Sequence, residues 1–517
     1  MISHHQTVTA QLEDLVSLAP VIDAKQTKEG FLTDVWPPNS PISMINAERL
    51  TNSIGRARYR HVDTSALYRR HQLTSALLRH QLNNPPPTVE RGEGVWLWDT
   101  EGRDYIDGSS EAMTENIGHG VAKIADVMRD QAQTIGFSMY AQFSNAPAEA
   151  LAKRLAALAP ADIDHIFCVN SGSEAAEYAM RLALQVFREC SQPAKTKMLS
   201  RDTSDHGMTM GALSLSGQDA RRADFGNYLH AFPAVPAAYA YRSDWGDLPE
   251  DEQWVAADDW EKAILAAGPD KVAAIIAEPI VGAAGGALVA PKGYFRRLRE
   301  ICDQYDVLMI MDEVITGIGR TGSWFASEAE GVVPDIITTA KGLSAGYAPL
   351  GAVLVRAPLI DAIKKGSGLT PYGHTFSCNP IGAAVCMAVL DHIEDNEVLA
   401  NVAARGAELE DGLKALAQRY RHMADVRGRG LLWGFEFVLD RKDRTPPLAS
   451  FNASGVFVDL CKEAALIVYP AGIAPYNNAT LIAPPLVISK NEVEALLQRL
   501  DKGLAQMENQ LNDLAAA

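Results

Sequence analysis

The chain has 517 residues, too many for one compact core, so we expect two domains with additional segments. Hydrophobic residues make up 47% and charged residues 21%, the balance of an ordinary globular protein. The formal net charge of -17 argues against nucleic acid or an anionic membrane as a general partner.

The six cysteines form no CxxC pair and no spacing typical of metal ligands, so neither a disulfide framework nor a bound metal is expected. The N-terminal sequence MISHHQTVTAQLEDLV lacks a basic stretch followed by an apolar core, so no secretory signal is expected. No apolar run approaches the length of a membrane span. These features predict a soluble, cytoplasmic protein with reduced thiols.

Residues 1–60 show no clear alternation of strands and helices and contain the loop-like segment WPPNSPIS. We interpret them as an N-terminal extension. The next stretch, 56–81, is rich in Arg and His, and SALYRRHQLTSALLRHQL carries helical signals. Its basic residues have two explanations, a solvated helix face or a site for an anionic substrate. Alternating apolar and polar residues around Gly predict short strands in 88–107.

Further along, apolar β-rich runs alternate with helical segments. The runs are HIFCVN (165–170), AAIIAEPI (273–280), VLMIMDEV (307–314) and PDIITTAKG (334–342). This alternation predicts an α/β fold, a mostly parallel sheet with helices on both faces. The last 120 or so residues are typical of a smaller α+β domain. The expected division is an extension (1–60), the N-terminal part of the small domain (61–124), a large domain (125–391) and a C-terminal small domain (392–517).

Ligands of such sheets bind beyond the carboxyl ends of the strands, and the sequence places polar residues there. In NSGSEA (170–175), between a strand and a helix, Gly172 permits close backbone approach. Ser173 and the next amides would offer an anion free N–H groups and a positive dipole end. This arrangement would suit a phosphate, but alone it is a weak signal, because a Ser at a helix start is more often simply an N-cap.

Three further residues follow the same rule. Asp312 ends an apolar strand, where a carboxylate is costly unless a cation such as a protonated pyridine nitrogen meets it. Lys341 follows the strand IITTA; it is either a solvated surface residue or, in a desolvated pocket, a nucleophile toward a carbonyl. The hydroxyl of Thr375, in HTFSCNP, is a candidate second phosphate donor.

Taken together, these motifs resemble those of the class III pyridoxal-phosphate aminotransferases of fold type I. The resemblance runs from about 89 to 500 and is carried, in chain order, by GHG (118–120), HGMTMGALSLSG (206–217), AEP (277–279), DEVITGIGRTG (312–322), PDI (334–336), the lysine at 341, HTF (374–376) and APPL (483–486).

The resemblance implies pyridoxal 5'-phosphate as the cofactor, with Lys341 joined to it as a Schiff base and shuttling protons. Asp312 would hold the ring nitrogen and Val314 would pack on the ring. The full implied set is Gly172, Ser173, His206, Glu278, Asp312, Val314, Lys341 and Thr375. The resemblance also implies a homodimer or dimer of dimers, with Thr375 reaching the phosphate of the neighbouring subunit.

The sequence departs from the family pattern at two places. Asp205 stands before the His-Gly pair, where the family usually has an aromatic residue that stacks on the pyridine. Either stacking is weaker, another side chain supplies it, or Asp205 has a new polar role. The second departure is the lack of any arginine between Arg444 and Arg499, where many relatives carry a mobile arginine that binds a substrate carboxylate and in some of them pairs with the equivalent of Glu278.

The leading function is an aminotransferase that moves an amino group from a primary amine or ω-amino compound to a keto acid such as pyruvate or 2-oxoglutarate. Relatives with the same cofactor include decarboxylases, phospho-lyases and epimerases, and a non-catalytic binding protein is a third alternative. The missing arginine predicts a donor whose reacting end is not beside a carboxylate, in a pocket lined by Ala112, Met113, Tyr140 and the Tyr476 loop. Alternatively, Arg69, Arg70 or Arg79 replaces the missing arginine.

Overall fold

The computed structural model describes residues 77–80, 82, 85–473 and 475–516. The predicted N-terminal extension therefore lies outside the described residues, as do Arg69, Arg70 and most of the helix predicted in 65–82. Residues 77–80 are described and are not helical, so that part of the helix prediction is wrong. The following paragraphs concern the compact unit that begins at Pro87.

A seven-stranded sheet lies at the centre of the described part of this unit. Its strands are, in spatial order, Ile163–Val169, Gly351–Arg356, Ile336–Thr339, Leu308–Asp312, Val272–Ala277, Lys197–Arg201 and Ala234–Val235. Gly351–Arg356 runs antiparallel to both of its neighbours, whereas the other pairs are parallel. The predicted α/β fold with a mostly parallel sheet is confirmed.

Alternate residues of the central strands pack into different cores. Ile310 belongs to a cluster with the helix Gly172–Glu189, while Met309 and Met311 belong to the larger cluster that includes Phe295. Because side chains of a strand point alternately to opposite faces, an apolar strand such as Leu308–Asp312 must be covered on both sides. The polar last residue of this strand, Asp312, lies at the carboxyl-end edge of the sheet.

Helices cover the sheet and form much of the remaining body. In chain order, the α-helices of the described residues are Ser110–Met113, Ala122–Thr134, Ala146–Leu158, Gly172–Glu189, Met210–Leu215, Asp219–Arg222, Asp258–Ala267, Tyr294–Tyr305, Ala326–Glu330, Ala357–Lys365, Pro380–Asp395, Val398–Arg419, Ala453–Glu463 and Lys490–Ala516. No helix of the described residues is long and apolar enough to cross a membrane.

Smaller sheets join segments that are distant in sequence. One contains Val89–Glu93, Trp96–Asp99, Asp104–Asp107 and Leu466–Ile467, and a second contains Met423–Arg429, Leu432–Phe437, Ala479–Ile482 and Tyr469–Ala471. A two-stranded ribbon pairs Ile280–Val281 with Leu288–Val289. In the first sheet, Leu466–Ile467 pairs in parallel with Asp104–Asp107, so segments near both ends of the described chain share one sheet.

A buried arginine fixes the loop after the strand that ends at Asp312. Arg320 is 0% exposed. Its guanidinium donates to Leu431 O at 3.1 Å, to Asn116 Oδ1 at 2.6 Å and to Pro484 O. Burial lowers its pKa to about 9. Because several acceptors surround this cation, it holds the loop firmly against both the N-terminal and the C-terminal segments of the unit.

Candidate active site

A cavity of about 460 Å³ opens where the parallel strands end, at the edge of the sheet that the sequence indicated. It is lined by seven of the eight predicted site residues, namely Gly172, Ser173, His206, Glu278, Asp312, Val314 and Lys341. Thr375 is the exception. The structure therefore brings together residues that are up to 169 positions apart in the sequence, from Gly172 to Lys341.

The helix Gly172–Glu189 begins at the cavity wall. Its N-cap is Ser171, whose hydroxyl accepts a hydrogen bond from Glu174 N at 3.2 Å, so the alternative that Ser173 is the cap is wrong. The first N–H groups of a helix have no partner within the helix, and here they lie at the cavity. A Cβ on Gly172 would lie 3.0 Å from both methyls of Val314, so glycine allows the close approach at this wall.

Asp312 and His206 form a buried pair at the cavity. The exposed fractions of the two residues are 4% and 3%. Asp312 Oδ2 lies 2.7 Å from His206 Nδ1, and Oδ1 accepts from Val314 N at 3.1 Å. The other ring nitrogen of His206, Nε2, is buried without a hydrogen-bond partner among the described residues. A buried carboxylate with one histidine partner is suited to a second, cationic partner.

Glu278 holds the segment that carries Asp205. Its carboxylate accepts from Asp205 N at 3.0 Å and from Gly282 N at 2.9 Å. Burial is the main cause that raises its pKa to about 7, and the neighbouring charge of Asp312 adds to the rise. The raised pKa disfavours the charged form of Glu278, which would limit the negative charge that gathers around the cavity.

Lys341 lies two residues after the last residue of the strand Ile336–Thr339 and begins a short 3-10 helix, Lys341–Leu343. Its φ of 42° is in the left-handed region, which is uncommon for a residue with a side chain and is often found at functional sites. Desolvation lowers the pKa of its amine, while the charges of Asp205 and Asp312 oppose the shift. Within the described chain, Nζ makes no hydrogen bond or ion pair, so the amine is available for chemistry.

Sequence reasoning missed one charged residue of the cavity, Arg221. Its Nη1 lies 2.7 Å from Asp205 Oδ2, and both residues line the cavity. The only signal was the arginine pair in QDARRAD, and this pair did not indicate which arginine enters the site. The structure shows that Arg221 lines the cavity and Arg222 does not. The guanidinium of Arg222 instead donates to Ser216 O at 2.8 Å. The departure at Asp205 thus has a polar explanation, an ion pair with Arg221.

The residues predicted to line a substrate pocket divide into two groups. In the described structure, Ala112, Met113 and Tyr140 line neither the 460 Å³ cavity nor a second cavity of about 500 Å³ beside it, whereas the Tyr476 loop lines the second cavity through Ile473 and Asn477. Met113 is buried in an apolar cluster with Ala471 and Ala479. The hydroxyl of Tyr140 accepts from Gly373 N at 2.7 Å. Met113 and Tyr140 are thus engaged in packing and in loop structure.

Thr375 is exposed and lies outside the cavity of its own chain. The preceding residue, His374, has Nδ1 at 3.3 Å from Glu174 Oε2, which places this loop beside the first turn of the helix Gly172–Glu189. In the part of the chain that is described, no group of three or more His, Cys, Asp or Glu side chains is arranged to hold a metal ion.

Comparison with known proteins identifies the class to which this chain belongs. The family model Aminotransferase class-III matches residues 78–504. The uncharacterized aminotransferase YodT of Bacillus subtilis (strain 168) is 41% identical over 444 residues, 85% of this chain and 99% of that protein. A taurine–pyruvate aminotransferase of Rhodobacter capsulatus is 34% identical over 436 residues, 83% of this chain and 93% of that protein. The chain belongs to the class III aminotransferase family.

A solved structure agrees with this assignment. An amine transaminase from an uncultivated Pseudomonas species, in its PLP-bound form, has a TM-score of 0.78 and 30% identity, over 84% of this chain and 98% of that one. The chain is therefore a transaminase of fold type I, and its cofactor is pyridoxal 5'-phosphate. The predictions of family, fold, enzyme class and cofactor are confirmed.

The cavity of this chain fits that cofactor by its own chemistry. The amine of Lys341 has no other partner in the described structure and a lowered pKa. Asp312 offers a buried carboxylate, and the buried Nε2 of His206 lacks a partner among the described residues. The start of the helix Gly172–Glu189 offers N–H groups suited to a phosphate.

Proposed function

We propose that this transaminase takes the amino group from a primary amine or ω-amino compound and passes it to a keto acid such as pyruvate or 2-oxoglutarate. The observation that carries the proposal is the unpaired amine of Lys341 in one cavity with the Asp312–His206 pair. Support for the substrates comes from two similar proteins, one named an amine transaminase and the other a taurine–pyruvate aminotransferase.

In this proposal, bound pyridoxal phosphate supplies an electron sink for the carbon that carries the amino group. Lys341 Nζ holds the cofactor between turnovers, and afterwards moves the proton to and from the substrate carbon as general base and acid. The lowered pKa of Lys341 favours the neutral amine, which attachment of the cofactor and abstraction of the proton both need. The carboxylate of Asp312 would hold the pyridine nitrogen of the cofactor in its protonated form, and His206, 2.7 Å from Oδ2, would orient that carboxylate.

The remaining site residues would bind and position the cofactor. The backbone at Gly172 and Ser173 would hold the phosphate at the helix start, and Val314 would pack on the ring. Glu278 would orient the segment that carries Asp205 and His206. Together these contacts would fix the plane of the ring relative to Lys341.

We further propose a homodimer, or a dimer of two such dimers, in the cytoplasm. Thr375 is exposed and outside the cavity of its own chain, as expected for a residue that serves the phosphate site of the neighbouring subunit. The domain division predicted from the sequence (61–124, 125–391 and 392–517) stays part of this proposal. It is supported by the parallel pairing of Leu466–Ile467 with Asp104–Asp107, which joins segments of 61–124 and 392–517 in one sheet.

Half-reaction spectroscopy of the holoenzyme tests the proposed function. A primary amine should bleach the visible absorption band of the bound cofactor, and pyruvate added after removal of the amine should restore it. Release of CO₂ or of phosphate, racemisation of the donor, or a band that no amine bleaches would instead indicate a decarboxylase, a phospho-lyase, an epimerase or a non-catalytic binding protein. A panel of amines in the same assay would identify the donor.

A further inference from the structure

Arg221 lies in the wall between two cavities. It lines the 460 Å³ cavity that contains Lys341, and it also lines a second cavity of about 500 Å³. The second cavity is bounded by the segment around Gln218 and by C-terminal residues that include Asn452 and Asn477. A molecule that reacts at Lys341 and extends toward the C-terminal segment would therefore pass the guanidinium of Arg221.

The guanidinium is held by a single carboxylate. Its Nη1 lies 2.7 Å from Asp205 Oδ2, and the exposed fractions of the two side chains are 35% for Arg221 and 21% for Asp205. No second side-chain or backbone acceptor contacts this guanidinium in the described structure. The side chain of Arg221 is partly exposed and has one partner, Asp205. Another anion could therefore replace Asp205 with little rearrangement of the surrounding chain.

The charges around the two cavities leave few groups that can neutralise an anion. Among the described lining residues, Lys341 and Arg221 are the only lysine or arginine side chains. His206 is tied to Asp312 at 2.7 Å. If the proposed function is right, Lys341 is committed to the cofactor and to proton transfer. A keto acid nevertheless brings a carboxylate next to its reacting carbonyl, and burying that carboxylate without a cation is costly.

We propose that Arg221 binds the carboxylate of the keto-acid substrate, and that Asp205 takes the guanidinium back when the bound amine carries no carboxylate. The planar guanidinium can form two parallel hydrogen bonds to a carboxylate, which gives orientation as well as charge neutralisation. Asp205 and the substrate carboxylate then compete for the same donors. This proposal rests on the proposed transaminase function, and it identifies Arg221 as the residue that selects the keto acid to which the amino group is passed.

The test compares holoenzyme variants R221Q and R222Q in the second half-reaction. Arg222 is the matched control, because it is the adjacent arginine but donates to Ser216 O and lines neither cavity. In R221Q, the KM for pyruvate should rise roughly ten- to hundredfold, the range for a lost hydrogen bond to a charged group. With propanal, which lacks a carboxylate, R221Q should stay within about threefold of the parent, as should R222Q with both acceptors.

A binding measurement without turnover separates this proposal from the function on which it rests. Oxamate has a carboxylate but no ketone, and its affinity for the holoenzyme can be measured by calorimetry. R221Q should bind oxamate roughly ten- to hundredfold more weakly, whereas D205N, which lacks the competing carboxylate, should bind it more tightly. Inactivity of the parent toward every amine would refute the transaminase function, yet oxamate binding would still test Arg221.

Three results would overturn the role of Arg221. One is equal losses for pyruvate and propanal in R221Q, and another is a loss in R222Q as large as that in R221Q. The third is weaker oxamate binding in D205N, because it would mean that Asp205 assists the bound anion and does not compete with it. D205N keeps the proposal testable even if R221Q does not fold.

Discussion

The two sides of the cavity hold their charges in different ways. On one side, Asp312 and His206 are 4% and 3% exposed and contact each other at the end of a strand covered on both faces. On the other side, Asp205 and Arg221 pair on short segments, and both side chains are partly exposed. The first pair is fixed by the packing around it, whereas the second is partly exposed and is the pair that we propose exchanges partners. We call the side with Asp312, His206 and Lys341 the strand-end side, and the side with Asp205 and Arg221 the exchange side.

This difference matches the two tasks of a transaminase. The chemistry at the cofactor is the same for every substrate, so its groups benefit from a fixed, desolvated geometry. Donor and acceptor, in contrast, differ in shape and charge and must use the same cavity in turn. Substitutions on the strand-end side should therefore impair all substrates alike, and substitutions on the exchange side should impair substrates selectively.

The largest effect is expected for K341A. Without the amine, both the attachment point and the proton-transfer group are lost, so turnover of every donor and acceptor should fall by about a thousandfold or more. The fold and the oligomer should persist, which circular dichroism and gel filtration would check. Near-normal transamination by this variant would remove the strand-end side from the mechanism.

The next largest effect is expected for D312N. The neutral amide cannot stabilise the protonated pyridine nitrogen, so turnover should fall by about a hundredfold or more for every substrate, as is typical when a preorganised charge partner is lost. The measurement is the rate of each half-reaction under single-turnover conditions. A rate within about threefold of the parent, worth under roughly 1 kcal/mol, would contradict the assigned role.

A smaller effect is expected at Thr375, which lies outside both pairs. T375A should retain cofactor more weakly, by about tenfold, because one hydrogen bond to a phosphate is lost. Mixed dimers of T375A and K341A should regain one tight, active site per dimer, since Lys341 and Thr375 of different subunits would meet there. Equilibrium dialysis of the cofactor and activity of the mixture would be measured. A monomeric enzyme, or mixed dimers without any gain, would oppose the shared site.

The smallest effect is expected in the pH dependence of cofactor attachment to Lys341, which the charges of the exchange side should shift. Covalent attachment of pyridoxal phosphate to cofactor-free enzyme requires the neutral amine of Lys341. Because desolvation lowers the pKa of this lysine, the attachment rate should rise with pH and reach its midpoint below that of an ordinary lysine. The charge of Asp205 raises this pKa and that of Arg221 lowers it. D205N should therefore move the midpoint down and R221Q should move it up; shifts in the same direction would disprove the coupling.

The strand-end side was largely predictable from the sequence, and the exchange side was not. Asp312 and Lys341 each follow an apolar run, and carboxyl ends of parallel strands share one edge of a sheet, so their convergence follows from the pattern. Arg221 sits in an irregular connection, where no periodicity indicates which side chain turns inward. The strand Gly351–Arg356 was not singled out although its sequence, GAVLVR, is apolar, and its antiparallel direction is set by the strands on its two sides, which the sequence of the strand alone does not identify.

The placement of Met113 and Tyr140 outside the two cavities has a similar cause. Met113 and Tyr140 are apolar or aromatic residues near family-like motifs, but their contacts with Ala471 and with Gly373 depend on tertiary packing. A local pattern can indicate that a side chain is buried. It cannot indicate whether the side chain faces a cavity or a core.

The central claim is that Lys341, at the end of its strand, is the residue that holds the cofactor. Borohydride reduction of the holoenzyme would fix pyridoxal phosphate to its lysine, and mass spectrometry of the tryptic peptides would locate it. The account predicts one modified lysine per chain, Lys341, with trypsin failing to cleave after it. Modification of any other lysine, with Lys341 unmodified, would contradict the account.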